Sequence, residues 1–400
     1  MDNIEFVLED LEELSFGLDV DVKELYPELE NLEVTPSAEE QVFTHEGSYG
    51  YDKVVVKSID VPKYAPQYIS FHSYTGTNLD DELANLSTEN MQSLKSMFNS
   101  CSNLKTINVS NFITSSVTNF DNMFYSCQAL TEIDLSNWDM SKITYAQYVF
   151  YACRGLKTIK FPKEKKLKPN YINDIFSGCY ALTDVNVLDI DVSNASGVSN
   201  IFKDCRAIKS LDVSSWKLDR ASIIRAMFYN MNELEELKLF KFKDRTATTG
   251  VTMDQVFYNL PKLKSLDLSE WDTSYATTMG SMFYGLASIT SLDISSFETP
   301  LVTNMSQFIY NCTNLKSINA CNITNEKVTN ISSMFRGNTS LEHLDVRSFD
   351  FTKATSYSYA FTGIPANCEI IVKDDTQKEW VLTQRSDFTN VKTVAELEAA

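Results

Sequence analysis

Four hundred residues with 43% apolar and 12% aromatic side chains exceed one compact core and exclude global disorder, so two domains or an extended architecture are expected. The net charge of −19 excludes a non-specific nucleic-acid binder, which would need a basic surface. Residues 1–60 hold 17 Asp and Glu against 3 Lys, so −14 of that charge sits at the N-terminus.

In chain order, IEFVLEDLEEL is apolar at Ile4, Val7, Leu8, Leu11 and Leu14, the spacing of an amphipathic helix. Residues 1–30 are therefore an acidic helix for attachment or oligomerisation, the alternative being a solvated tail. The segment lacks the basic start and apolar core of a signal peptide, which predicts no export by the ordinary secretory route. Within 31–62, QVFT and KVVVKSI are β-like runs around a glycine-containing turn and predict a small hairpin. No apolar run approaches ~20 residues, so no membrane insertion is expected.

From about residue 63 to 372 the chain repeats itself. A marker recurs at Phe98, Phe124, Phe150, Phe176, Phe202, Phe228, Phe257, Phe283, Ile309, Phe335 and Phe361, every 26 residues except for one step of 29. Apolar columns precede it at −7, −4 and −1, as in Val117, Phe120 and Met123, and Cys127 follows at +3. Steps of three to four predict a short helix with one buried face. From +6 the pattern becomes Leu-x-x-Leu-x-Leu, whose alternation predicts a strand.

Each copy is thus helix, turn, strand, turn, and none buries its apolar face alone. The prediction is an α/β solenoid of about eleven 26-residue helix-strand repeats, with a parallel sheet. Helices are wider than strands, so the stack should curve with its sheet concave. Residues 64–86 would supply a first, imperfect rung, and 373–400 a closing cap.

The chemistry-bearing residues fall on the same columns. Cys101, Cys127, Cys153, Cys179, Cys205 and Cys312 share one with Met231, Leu260 and Leu286, so the position wants a small apolar group and predicts buried thiols. No CxxC or Cys/His cluster supports a metal, and no catalytic constellation or cofactor motif is present, so no enzyme activity is expected. The polar +10 column, which includes Asp134, Lys160, Asp212, Lys238, Asp267, Asp293 and Asp345, predicts a solvated hydrogen-bonding ladder, the alternative being a ligand or Ca²⁺ surface.

Two sets are candidate ligand-binding residues. Tyr125, Tyr151, Tyr229, Tyr258, Tyr284 and Tyr310 follow the marker by one; they form either an aromatic stripe for sugar rings or a self-stacked ladder. Lys160, Lys163, Lys165, Lys166 and Lys168, with Lys238, Lys241 and Lys243, lie where the repeat departs from its pattern. They suit an anionic wall polymer or are solvated charge.

LTEIDLSNWDMSKITYAQYVFYAC and LKSLDLSEWDTSYATTMGSMFYGL resemble the BspA-like leucine-rich repeats of bacterial surface proteins. The resemblance runs from about Tyr68 to Phe361 and implies a leucine-rich-repeat solenoid, an extracellular binding or adhesion role, and no known catalysis. Residues 32–61 resemble a short β-module near the N-termini of phage and prophage tail and appendage proteins.

Together the two resemblances imply a virion-associated appendage. Residues 1–62 would attach to other virion proteins, and the solenoid would bind a polysaccharide or protein of the host surface; a homo-oligomer is compatible with that role. The alternative is a bacterial cell-surface adhesin of the BspA-like family.

Overall fold

The computed structural model describes the strands Glu40–Thr44 and Lys53–Lys57, then residues 70–399 apart from 85, 87, 90 and 243–248. Contacts divide the chain into two units, residues 1–46 with 51–62 and residues 47–50 with 63–400. In the first, β1 (Glu40–Thr44) and β2 (Lys53–Lys57) pair antiparallel with Glu40 opposite Lys57, which is the expected hairpin. The helix expected within 1–30 lies outside the described residues.

The second unit is a parallel β-solenoid with few helices. It opens on a short helix, α1 (Asp80–Ala84), that buries Leu79, Leu83 and Leu86. One edge of the turns carries nine short strands: β3 (Glu132–Asp134), β4 (Thr158–Lys160), β5 (Asp184–Val185), β6 (Ser210–Asp212), β7 (Glu236–Lys238), β10 (Ser291–Asp293), β11 (Ser317–Asn319), β12 (His343–Asp345) and β13 (Glu369–Val372). The remaining pair of strands within the turns, β8 (Val251–Thr252) and β9 (Ala276–Thr278), lies on another edge, and β14 (Val391–Thr393) closes the sheet of β10 to β13.

Every neighbouring pair in the solenoid is parallel, and along the nine-strand edge each is offset by one repeat, as in Ile133 beside Ile159 and Leu292 beside Ile318. The closing pair β13–β14 is offset by less, with Ile370 beside Val391. About nine turns are strand-bearing. The count of eleven expected from the marker is not reproduced at this edge, because 106–108 and 265–267 carry no strand.

The expected helix before each marker is absent. Residues 121–126 are consecutive turns, with Asn122 and Ser126 at φ +56° and +58°. Left-handed residues recur two before and two after the marker, for example Asn200 and Asp204 or Ser333 and Gly337, and such backbone cannot continue an α-helix.

The N–H groups turn to the next rung instead. Phe120, Asn122, Phe124 and Ser126 donate to the carbonyls of Tyr145, Gln147, Val149 and Tyr151 at 2.7–2.9 Å. Both edges therefore advance rung by rung through backbone hydrogen bonds, and the helix-strand width mismatch that predicted curvature is gone.

The core is a phenylalanine stack. From Phe71 through Phe98, Phe124, Phe150, Phe176, Phe202, Phe228 and Phe257 to Phe283, successive rings lie 5.3–6.1 Å apart and near parallel. At Ile309 the neighbouring Phe308 takes over, meeting Phe283 edge-on at 5.3 Å.

The cap closes the C-terminal end with α2 (Asp375–Gln384) and α3 (Val394–Glu398). Trp380 of α2 stacks on Phe351 at 5.2 Å, and Phe388 meets Phe361 edge-on. Asp374 caps α2 through the Gln377 N–H, and Thr393 with Glu396 forms a capping box on α3.

The cysteine column is buried and unbridged, and it has a chemical reason beyond size. Each thiol donates to the marker carbonyl of the preceding rung: Cys127 to Phe98, Cys153 to Phe124, Cys179 to Phe150 and Cys312 to Phe283, at 2.9–3.0 Å. Burial pushes Cys153 and Cys312 up to about 12, far from thiolate chemistry. In the folded chain a thiol reagent should label half-exposed Cys321 first and reach the column only on unfolding. Fast labelling of several thiols in native buffer would contradict this placement.

Candidate functional site

In the turn around Phe150 the positions −5, −2 and +1 from the marker reach the surface, while −7, −4 and −1 are buried; on other rungs −2 is often buried, as at Asp174 and Ala226. The sequence-predicted tyrosines occupy +1 and stack on one another. Tyr229, Tyr258, Tyr284 and Tyr310 form one ladder with centroids 4.3, 4.3 and 4.8 Å apart, flanked by Lys203 over Tyr229 and Arg336 over Tyr310. Burial, followed by the fields of Tyr229 and Tyr284, pushes the Tyr258 phenol well up. Inner rings of this ladder spend both faces on neighbours, which leaves a ligand only edges and hydroxyls.

Tyr125 and Tyr151 form a separate pair at 4.9 Å, and here further aromatics join. The turn YAQYVFY fills all three outward positions with tyrosine: Tyr145, Tyr148 and Tyr151. Tyr145 stacks on Tyr171 of the next rung at 5.2 Å, and Tyr148 meets Tyr151 edge-on at 5.9 Å. Tyr145, Tyr148 and Tyr171 are 42%, 37% and 40% exposed, high values for large aromatics.

At these positions other rungs carry mostly small, amide or hydroxyl side chains, such as Asn119, Gly197, Thr278 and Asn304 at −5. Tyr148 also holds the left-handed backbone, φ +56°, where its neighbours place Asn122, Asp174 and Asn200.

Two buried carboxylates border this aromatic surface. Asp121 lies on the rung before Tyr148 and accepts the Gln147 N–H at 2.7 Å; Asp174 lies on the rung after and accepts from the Asn200 amide at 3.2 Å. Burial raises both above the ordinary carboxylate value, against smaller lowering effects from those hydrogen bonds. Asp121 bonds the backbone of the residue before Tyr148, and Asp174 holds the Tyr148 column on the next rung; the Tyr148 phenol is raised by burial first, then by the fields of Asp174, Tyr125 and Asp121. An amide chain links the rungs, with the Asn173 amide donating to Gln147 Oε1 at 3.2 Å.

The lysines take a different course. Lys160 pairs with Asp134 at 2.9 Å, Lys165 with Asp139 at 2.9 Å, Lys166 with Asp189 at 3.9 Å and Lys168 with Asp191 at 3.1 Å. Lys238 pairs with Asp212 at 3.1 Å and Lys241 with Glu270 at 3.6 Å. Their positive charge is thus offset locally, and exposed pairs of this kind contribute little to stability. Lys163 is exposed and in no ion pair among the described residues, and Lys243 lies outside them.

The aspartates of the +10 column fold their own turns. Asp134 accepts the Ser136 N–H at 3.0 Å and its hydroxyl at 2.6 Å, and Asp212 does the same with Ser214. The Ser136 bonds first, and Lys160 second, lower Asp134 to about 2.

Among the described residues, no group of three or more His, Cys, Asp or Glu is placed to hold a metal, and no helix is long and apolar enough to cross a membrane. The sequence pattern pointed to Tyr125 and Tyr151, which stack as a pair, and not to Tyr145, Tyr148 and Tyr171. The three-residue spacing of tyrosine in YAQYVFY was the available signal.

A protein-family profile described as "Mycoplasma protein of unknown function, DUF285" matches residues 68–161, 168–251, 251–373 and 316–394. No curated protein matches. Among solved structures, "Crystal structure of TLR13-ssRNA13 complex" is similar at 13% identity and a TM-score of 0.13, over 75% of this chain and 57% of that one. The chain therefore spans little more than half of that structure's length, and the solenoid assignment stands on the register of its own rungs.

Proposed function

We propose that this chain, which belongs to the DUF285 family, is a non-enzymatic surface-recognition protein whose solenoid binds its partner through the tyrosine turn at 145–151. The family match and the solenoid fit a BspA-like surface repeat protein. The observation that carries the reading is that this one turn has tyrosine at −5, −2 and +1 together, with Tyr171 stacked on it from the next rung, a combination no other described turn repeats although Tyr357 and Tyr359 also expose their rings. Solvent-facing aromatic surface has no folding role that Asn, Thr or Gly does not fill at the same positions, and such patches mark interaction sites.

The finer part of the proposal concerns display. The antiparallel β1–β2 pair supports a small module at the attaching end, either on a bacterial surface or, as the phage-like hairpin suggests, on a virion. The partner is a polysaccharide or protein of a bacterial host surface.

Fluorescently labelled full-length chain should decorate intact host bacteria, and the double variant Tyr145→Asn, Tyr171→Asn should lose most of that signal. Asn stands in the same column at Asn119 and Asn304, so the variant keeps its fold. Equal labelling by the variant would move the binding face elsewhere on the solenoid. Adding purified virions as a second target separates the two display readings.

A further inference from the structure

Resting on the recognition reading above, we infer that Tyr145, Tyr148, Tyr151, Asp121 and Asp174 form a binding site for a quaternary ammonium group carried by the surface partner. Tyrosine faces are electron-rich and attract cations, most strongly cations that shed water easily. Here three rings of one turn are supported by two more, Tyr125 and Tyr171, on the flanking rungs.

The carboxylates supply the second observation. Four aspartates are buried among the described residues. Asp345 is held by Arg347 at 2.6 Å, and Asp189 is approached by Lys166 at 3.9 Å. Asp121 and Asp174, both at the tyrosine cluster, are in no ion pair among the described residues. A buried carboxylate without a cation is costly, and the fold does not require one here. The Asp121 column carries Gln147, Asn173 and Ser199 on the following rungs, and the Asp174 column carries Asn122 and Asn200. Acids kept where amides fit suggest a cation from outside.

The kind of cation follows from the hydrogen bonds. Asp121 Oδ1 is occupied by the Gln147 N–H and Asp174 Oδ2 by the Asn200 amide, so the site offers charge and aromatic walls more than a ring of directed acceptors. That arrangement suits a cation with no N–H to satisfy, and it does not make a metal cage. The basic residues in reach are Lys95, whose field lowers Asp121, and Lys203, which lies over Tyr229 at 5.2 Å and acts weakly on Asp174. Burial raises both carboxylates, and an added cation would relieve it.

The test is calorimetric titration of the full chain with choline and with its neutral analogue, in which carbon replaces the ammonium nitrogen. Choline should bind at one site and the analogue about tenfold more weakly. Tyr148→Asn and Asp174→Asn should each weaken choline about fivefold, the size of a lost cation–π or charge contact, while Tyr258→Phe leaves it unchanged. Asp174→Asn should melt no lower than the parent, since Asn200 already stands in that column, so a folding defect is not the cause.

Equal binding of choline and the analogue, no choline binding, or indifference to both variants would overturn the inference. Competition on cells separates it from the broader reading. Cell labelling that excess choline does not reduce removes the ammonium site but leaves surface recognition, whereas choline binding without cell labelling does the reverse.

Discussion

Phe150→Ala should destabilise the solenoid by about 3–5 kcal/mol, read as a lowered midpoint in urea unfolding followed by circular dichroism. The ring is fully buried and stacks face to face on Phe124 at 5.6 Å and on Phe176 at 6.0 Å. It also meets Phe120 and Phe161 edge-on, both at 6.4 Å. Truncation therefore opens a cavity between two rungs whose backbones are pinned to each other and cannot close it. In a linear stack each rung leans only on its neighbours, so the defect sits at a single interface with no distant contact to share the strain.

Phe150→Ile is the control. Isoleucine occupies the marker naturally at Ile309, but there Phe308 replaces the missing ring, and position 149 is valine. Phe150→Ile should therefore cost about 1–3 kcal/mol, less than alanine but not nothing. An alanine variant as stable as the parent would mean that the aromatic stack is not the core of the fold.

The columns that build this core were legible because burial repeats strictly. Marker, cysteine column, leucine columns and strand alternation all kept a fixed offset, and the strands appear at +8 to +10, in Glu132–Asp134 and Ser210–Asp212, shorter than the alternation from +6 to +11 that predicted them. The helix was misread because Val117, Phe120, Met123 and Cys127 follow steps of three and four, which an α-helix and a triangular turn run share. Conformation, not periodicity, separates them.

The separating signal was present in the residues flanking the marker. Asn122, Asn200, Asp204 and Gly337 occupy left-handed backbone, which these residue types favour and which weakens helices, while Ser126 and Ser333 hold it without such a preference. The candidate site was half legible for a related reason. The outward lean of Tyr125 and Tyr151 follows from one rung, whereas the approach of Asp121 and Asp174 to Tyr148 exists only across three.

Asn338→Leu should cost about 3 kcal/mol or more, although leucine fills the equivalent position at Leu260 and Leu286. Asn338 is fully buried, and every polar atom of its amide is used. Its Oδ1 accepts the Cys312 N–H at 2.9 Å, and its Nδ2 donates to the Ile309 and Phe335 carbonyls at 2.9 and 3.0 Å. Leucine would strand one donor and remove a bond from two acceptors in a dry interior, where each unpaired group costs about 1–3 kcal/mol.

Asn338→Cys should be milder. A thiol at this position on other rungs donates to the preceding marker carbonyl, as Cys312 does to Phe283 at 3.0 Å, and would restore the bond to Ile309. The order of melting temperatures, parent above Asn338→Cys above Asn338→Leu, tests whether this column is kept for its donor. If leucine matches cysteine, apolar size alone governs the column, and the sulfur-to-carbonyl bonds along the stack contribute nothing measurable.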